Sequence, residues 1–271
     1  MESEKAEFLV CPPHHLAPVD GASAWDDGRT SPDISGAYFE WGSFLQRLTR
    51  EAGRRVAQVD AVRGAPLMAM ASRAGLIRNG IAVPSSHRET WRDREAPVFR
   101  DTFMSAGFIV ENLPEGVVFA GAADACFDES GTLWVAYGPD TAQDAHWALA
   151  DIFGCEMRSL TMASRRFGNL ERAFLPLPGG RLLWYPQGFS PQSAESIRTL
   201  IPESRRYAVG EAEANLLACA SLVAGRHILM PFAMDPTMQW LRDNGFQPEI
   251  VPIGHWRFFG AGASSLVLRL D

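Results

Sequence analysis

The chain has 271 residues, is 46% hydrophobic and carries a formal net charge of -7 at pH 7. That length can bury the core of one sizeable domain, and scattered Lys and Arg leave no electrostatic footprint for a phosphate backbone, so nucleic acid is not an expected partner. No run of about eighteen apolar residues and no basic-then-apolar leader occurs, which predicts a soluble cytoplasmic protein with no membrane partner.

In chain order, Phe8-Leu-Val-Cys-Pro-Pro13 reads as a first strand. The stretch 20–32, rich in Asp, Gly and Ser, reads as a loop able to cap a cleft. Amphipathic helices follow at 39–52, 96–106, 142–153 and 238–244, each stopped by a glycine (Gly53, Gly107, Gly154, Gly245) that leads into a strand. Further helices are predicted at 191–200 and 210–220. Turn signals at Asn79-Gly80, Ser130-Gly131, Gly179-Gly180 and Gly225 each precede an apolar strand. They recur at roughly 45 to 50 residues, a spacing of the order seen in propeller-like repeats. Five strand-and-helix units fit the length, with an ordinary α/β sandwich as the alternative from periodicity alone. Pro13, Pro84, Pro176 and Pro231 are expected to end strands. The chain closes on Gly260-Ala-Gly-Ala-Ser-Ser265-Leu-Val-Leu, a small-residue turn before a last strand. No linker divides it, so residues 1–271 are read as one domain. Cys11, Cys126, Cys155 and Cys219 are far apart and make no Cys-x-x-Cys pair, as expected of reduced, buried thiols. His14 and His15 have no third ligand at metal spacing, and neither metal nor cofactor is expected.

Several stretches, in order along nearly the whole chain, resemble the pentein superfamily of guanidino-modifying enzymes, the dimethylargininases and amidinotransferases. Trp25 falls where an Asn-Pro-Trp motif ends. Ser85-Ser-His-Arg88, with Arg92 and Glu95, is similar to a Ser-x-Phe-Arg and Glu-Arg segment. Phe119-Ala-Gly-Ala-Ala-Asp124 resembles Phe-Glu-Gly-x-Gly-Asp, and Leu133-Trp-Val-Ala-Tyr-Gly138 the strand after it. Phe167-Gly-Asn169-Leu-Glu171 resembles the His-Leu-Asp segment, and the closing turn completes the series. The resemblance implies an α/β fold, a five-bladed α/β propeller around a central cleft.

It also implies a chemistry that this chain departs from. The family attacks a guanidinium carbon with a Cys thiolate while a His moves protons. Ser265 stands in the Cys position and Asn169 in the His position, and neither a hydroxyl without a base nor an amide replaces them. Of the carboxylates that hold a guanidinium, Asp124 persists, whereas Leu67 and Ala120 stand where acids are expected. Arg88 and Arg92 persist where arginines grip a substrate carboxylate, Asp140 replaces a second arginine, and Arg73 replaces a neutral Asn. The expected guest is therefore a small molecule with an anionic group near Arg73 and Arg88. Plainer roles are open: ion pairing of these arginines with Glu89, Asp93 or Glu95, backbone capping by Asp124, and a hydrogen-bonded Ser265 and Asn169 pair.

His255, expected on a strand leading to Ser265, suggests a new Ser and His dyad, and Cys126 is a weaker nucleophile candidate. Three functional readings follow. The first is a thiol-free metabolite-binding pentein, the second an enzyme of altered mechanism using Ser265, His255 and Asp124, and the third a scaffold subunit. A homo-oligomer is left open.

Overall fold

Asn79 and Gly80 both take left-handed φ angles, 51° and 80°, which a two-residue type I′ hairpin requires. They join β3 (Gly75–Arg78) to β4 (Ile81–Pro84), and β5 (Ile109–Val110) returns parallel to β4 after helix α2 (Glu95–Ser105). The same word is spelled five times. In this computed structural model, which describes residues 5–19, 25 and 31–271, five three-stranded sheets each hold an antiparallel pair and a parallel third strand.

The second such sheet contains β6 (Ala125–Phe127), β7 (Leu133–Tyr137) and, after α3 (Asp144–Phe153), β8 (Met157–Thr161). The third contains β9 (Phe174–Leu177), β10 (Arg181–Trp184) and, after α4 (Pro191–Leu200), β11 (Arg206–Ala208). The fourth contains β12 (Leu222–Ala224), β13 (His227–Met230) and, after α6 (Asp235–Asp243), β14 (Gln247–Ile250). The fifth joins the two ends of the chain: β15 (Val267–Arg269) runs antiparallel to β1 (Phe8–Val10), and β2 (Val56–Gln58) lies parallel to β1 after α1 (Ile34–Gln46). The expected five-bladed α/β arrangement is therefore present.

Each crossover helix buries one stripe. Ala37, Trp41 and Phe44 on α1 and Ala145 and Leu149 on α3 recur at three- and four-residue spacing against the sheets. The largest apolar cluster gathers Trp134, Phe174, Trp184 and Phe189 between neighbouring blades. The innermost strands β3, β6, β9, β12 and β15 surround a cavity of about 400 Å³ along the pseudo-fivefold axis. At one end of it lie the short turns that precede those strands, among them 3-10 turns at Ala71–Ala74, Gly121–Ala123, Leu170–Arg172 and Ser264–Leu266. At the other end lie the hairpin turns.

Several boundaries differ from the sequence expectation. Helix α1 starts at Ile34 rather than 39, because Asp33 Oδ1 accepts the Gly36 N–H at 2.8 Å and caps it five residues earlier. Helix α6 starts at Asp235, ahead of Pro236, whose missing N–H costs nothing in a first turn. The helix expected at 210–220 shrinks to α5 (Glu211–Asn215), after which Leu217 adopts a φ of 64°. Pro176 does not end a strand but lies within β9, opposite Leu182; β9 is an edge strand, where a missing donor is tolerated. Of the loop expected at 20–32, residues 20–24 and 26–30 lie outside the described residues.

Gly121 opens the turn before Asp124 at a φ of 69°, and an added Cβ would stand 2.5 Å from Ser85 Oγ and 2.8 Å from the Ser72 carbonyl oxygen. Gly121→Ala is expected to destabilise the fold by about 2 kcal/mol or more, through both backbone strain and overlap. A urea titration showing an unchanged midpoint would refute this.

Candidate functional site

The turns that introduce the inner strands carry polar side chains to one end of the axis. Arg73 comes from the turn before β3, Asp124 from the turn before β6, Asn169, Glu171 and Arg172 from the turn before β9, and Ser265 from the turn before β15. All six are buried.

Arg73 is the hub. Its Nη1 donates to Asp140 Oδ2 at 3.1 Å, and its Nη2 donates to Asn169 Oδ1 at 2.7 Å. Asn169 Nδ2 in turn donates to Asp124 Oδ1 at 3.0 Å and Asp140 Oδ2 at 3.1 Å. Asp124 also accepts the Leu170 N–H and, at 2.6 Å, the Thr141 hydroxyl. Burial pulls the Arg73 pKa down, but Asp140, Asp124 and Glu171 outweigh it and hold the guanidinium above its ordinary value. Burial, reinforced by the Asp140 charge, pushes the Asp124 carboxyl up to about 6, against the bonds from Thr141 and Asn169 and the charge of Arg73. For Asp140 the order is reversed: burial raises it, and Arg73 with the Asn169 bond brings it below the usual carboxylate range.

Ser265 belongs to a second group. Its Oγ donates to Glu171 Oε1 at 2.8 Å and accepts the Gly262 N–H at 3.0 Å, while Ser264 Oγ donates to Glu171 Oε2 at 3.3 Å. Ser265 and Asn169 do not form the pair that sequence left open, because each is committed to a different carboxylate. Beside them Arg172 Nε donates to the Gly260 carbonyl at 3.1 Å, and burial, with the Arg73 charge, lowers its pKa to about 10.

Other expectations are corrected. His255 lies on a turn, not on a strand, and its ring pairs with Glu40 at 2.8 Å and Asp33 at 3.4 Å. With Ser265 Oγ engaged by Glu171, the structure forms no Ser265–His255 dyad. Arg73 is already neutralised by Asp140, so it does not offer its charge to an anionic guest. Arg92 is buried in a 2.7 Å ion pair with Glu95 and stacks over Trp91, the inward form of the pairing considered for it. Arg88 is exposed, with no ion pair among the described residues. Leu67 and Ala120 are buried apolar contacts. All four cysteines are free, and burial raises each thiol, Cys11 to about 12. Cys126 is accordingly a thiol within β6 and not an activated nucleophile.

Thr141, Ser264, Arg172 and His87 escaped sequence reasoning. His87 Nε2 donates to the Arg73 carbonyl at 3.1 Å, and burial, with Arg92 and Arg73 nearby, depresses its pKa to about 3. Adjacency to Asp140, Ser265, Arg88 and Glu171 was the one available signal for Thr141, Ser264, His87 and Arg172 respectively.

No protein-family model matches the chain. It is similar to the bifunctional arginine dihydrolase/ornithine cyclodeaminase AgrE of a Nostoc species, with 32% identity over 99% of this chain and 38% of that protein. The chain thus spans little more than a third of the length of AgrE and of ArgZ of Synechocystis, curated relatives that it matches. The crystal structure of the N-terminal domain of ArgZ, a Cys-to-Ser variant bound to substrate, superimposes with a TM-score of 0.93 at 31% identity, covering 98% of both chains. This chain belongs to the pentein superfamily. A dimethylarginine dimethylaminohydrolase of Mycobacterium tuberculosis is 26% identical over 97% of this chain and 85% of that protein. A second dimethylarginine dimethylaminohydrolase, solved as an adduct, shares the fold at a TM-score of 0.80 with 13% identity.

In this pentein the axial end of the blades holds an ion pair and a shared hydrogen-bond network, in which the described side chains that bond to one another are carboxylates, amide, guanidinium and hydroxyls. Arg73→Ala strands Asp140 and Asn169 and is expected to cost about 3 kcal/mol, as loss of one partner of a buried pair does. Adding Asp140→Ala should recover part of that cost, and a denaturation double-mutant cycle giving simple additivity would refute the coupling.

Asp124 sets a separate pH signature. Its folded pKa of about 6 lies above the ordinary 3.8, so the folded protein holds a proton that the unfolded chain has released across that window. Its contribution is present below about pH 4 and is lost as pH rises through about 6. The stability difference between wild type and Asp124→Asn is therefore expected to shift against wild type from pH 4 to pH 7. Parallel pH profiles for the two proteins would contradict it.

Proposed function

We propose that this chain is a pentein that has left cysteine-based guanidine hydrolysis and now holds a small molecule at its central cleft. The carrying observation is the Arg73 guanidinium itself. It lies buried against Asp140 and Asn169, within the fields of Asp124 and Glu171. A planar fork of N–H donors among carboxylates is the arrangement that a guanidinium guest would seek. Here the chain supplies that cation from its own Arg73 side chain.

Two further features support the reading. Ser265 and Asn169, taken as the replacements of the family Cys and His, are tied to Glu171 and to Arg73 respectively. The substitutions at 73 and 140 also compensate each other: a new positive charge meets a new negative one at 3.1 Å. The named relatives are arginine dihydrolases and dimethylarginine dimethylaminohydrolases, and their activity is not carried over to this chain. Arg88 is the anchor this reading retains for an anionic group on the guest. It further takes residues 1–271 as one domain working in the cytoplasm.

Purified protein given L-arginine or methylated arginines is expected to release no citrulline, ornithine or ammonia above background. The Ser265→Cys/Asn169→His variant should stay inactive as well, because the Arg73–Asp140 pair still fills the place of the guest. Turnover by the wild-type protein at rates typical of thiol enzymes, or its recovery in that double variant, would defeat the proposal.

A further inference from the structure

The axial cavity has a character that the cleft does not explain. Its walls are the inner strands, with Leu76, Phe174, Leu177, Leu222, Val267 and Leu268 among the apolar residues that line it and Arg78, Asp128, Glu129, Arg269 and Asp271 on the hairpin side. Inner strands of three or four residues make a channel roughly 10 to 13 Å long. A volume of about 400 Å³ lies within the range of small-molecule sites.

Its floor, on the side of the 3-10 turns, is polar. Ser72, Glu171, Ser221 and Ser264 line it. Ser72 is 2% exposed, and its Oγ makes no hydrogen bond within the described protein. A buried hydroxyl left unpaired costs about 1–3 kcal/mol, so the place of Ser72 at the floor of this cavity is a sign of a partner from outside. Glu171 is the second sign. Beside the buried Arg92–Glu95 ion pair, the buried charges that act on one another here are two guanidiniums, Arg73 and Arg172, against three carboxylates, Asp124, Asp140 and Glu171. Asp140 is paired directly with Arg73, and Asp124 takes three hydrogen bonds from Thr141, Asn169 and the Leu170 amide. Glu171 takes two serine hydroxyls, which bring no charge, and it is the acid at the channel floor.

We propose that the axial channel, entered from the hairpin side, is a binding site for a linear aliphatic ammonium compound. The ammonium meets Glu171 and the Ser72 hydroxyl at the floor, and the methylene chain lies along the apolar inner strands. An ammonium brings several donors and one positive charge, which matches a carboxylate and a free hydroxyl. The chain removes apolar wall from water, at about 25 cal/mol per Å² buried. A carboxylate or phosphate head would bring a second negative charge to the same floor. This inference does not depend on whether the cleft turns over guanidines, and the two fail by different measurements.

The test uses the full chain with n-hexylammonium chloride, followed by calorimetric titration and thermal midpoint, against hexanoate, hexan-1-ol and ammonium chloride. Hexylammonium is expected to bind at least tenfold more tightly than each control and to raise the midpoint. Glu171→Gln should lower its affinity at least tenfold. Val223→Trp, which fills the channel from its wall, should abolish binding in a protein whose Glu171 and floor hydroxyls are intact. No hexylammonium binding, equal binding of hexanoate or hexan-1-ol, an equal response to ammonium chloride, or retained affinity in Val223→Trp would each overturn the proposal.

Discussion

One buried cation organises this protein's centre. A guanidinium removed from water is tolerated only when acids and hydrogen-bond acceptors surround it, and Arg73 meets that demand with Asp140, Asn169 and the nearby Asp124. The demand propagates outward. Asn169 must present its oxygen to Arg73 and its amide to both aspartates, which fixes its orientation. Asp124, buried and crowded by Asp140, is the carboxyl whose pKa is raised, to about 6, and the Thr141 hydroxyl donates to its second oxygen.

The pseudo-fivefold fold makes such a centre available without dictating its contents. Every blade sends a turn to the same end of the axis, and the side chain at each turn can change while the sheet behind it stays the same. The chain keeps a TM-score of 0.93 to an arginine dihydrolase domain at 31% identity, so the scaffold tolerates change at most of its positions. Function resides in those few positions, and fold-level likeness alone does not assign it.

The symmetry also separates the molecule into two ends with different physics. At the turn end, charges are dense and mutually compensated. Toward the hairpin end the cavity is lined by apolar residues of the inner strands together with Arg78, Asp128, Glu129, Arg269 and Asp271. The channel follows from closing five small twisted sheets into a ring, not from any feature of a single sheet.

Sequence alone determined what depends on neighbours along the chain. Glycines and Asn79-Gly80 at left-handed turns, helix stripes at three- and four-residue spacing, and the order of motifs that names the superfamily are all local, and the fivefold count followed from them. Helix starts were shifted where a cap or a proline outweighed the apolar pattern, at Asp33 and Pro236. Only tertiary structure decided what lies across the axis. That Arg73 meets Asp140 and Asn169, 67 and 96 residues away, that Ser265 meets Glu171, and that His255 turns to Glu40 instead are long-range encounters. Electrostatic energy depends on distance and burial, and neither can be read from spacing along a chain when the partners arrive from different blades.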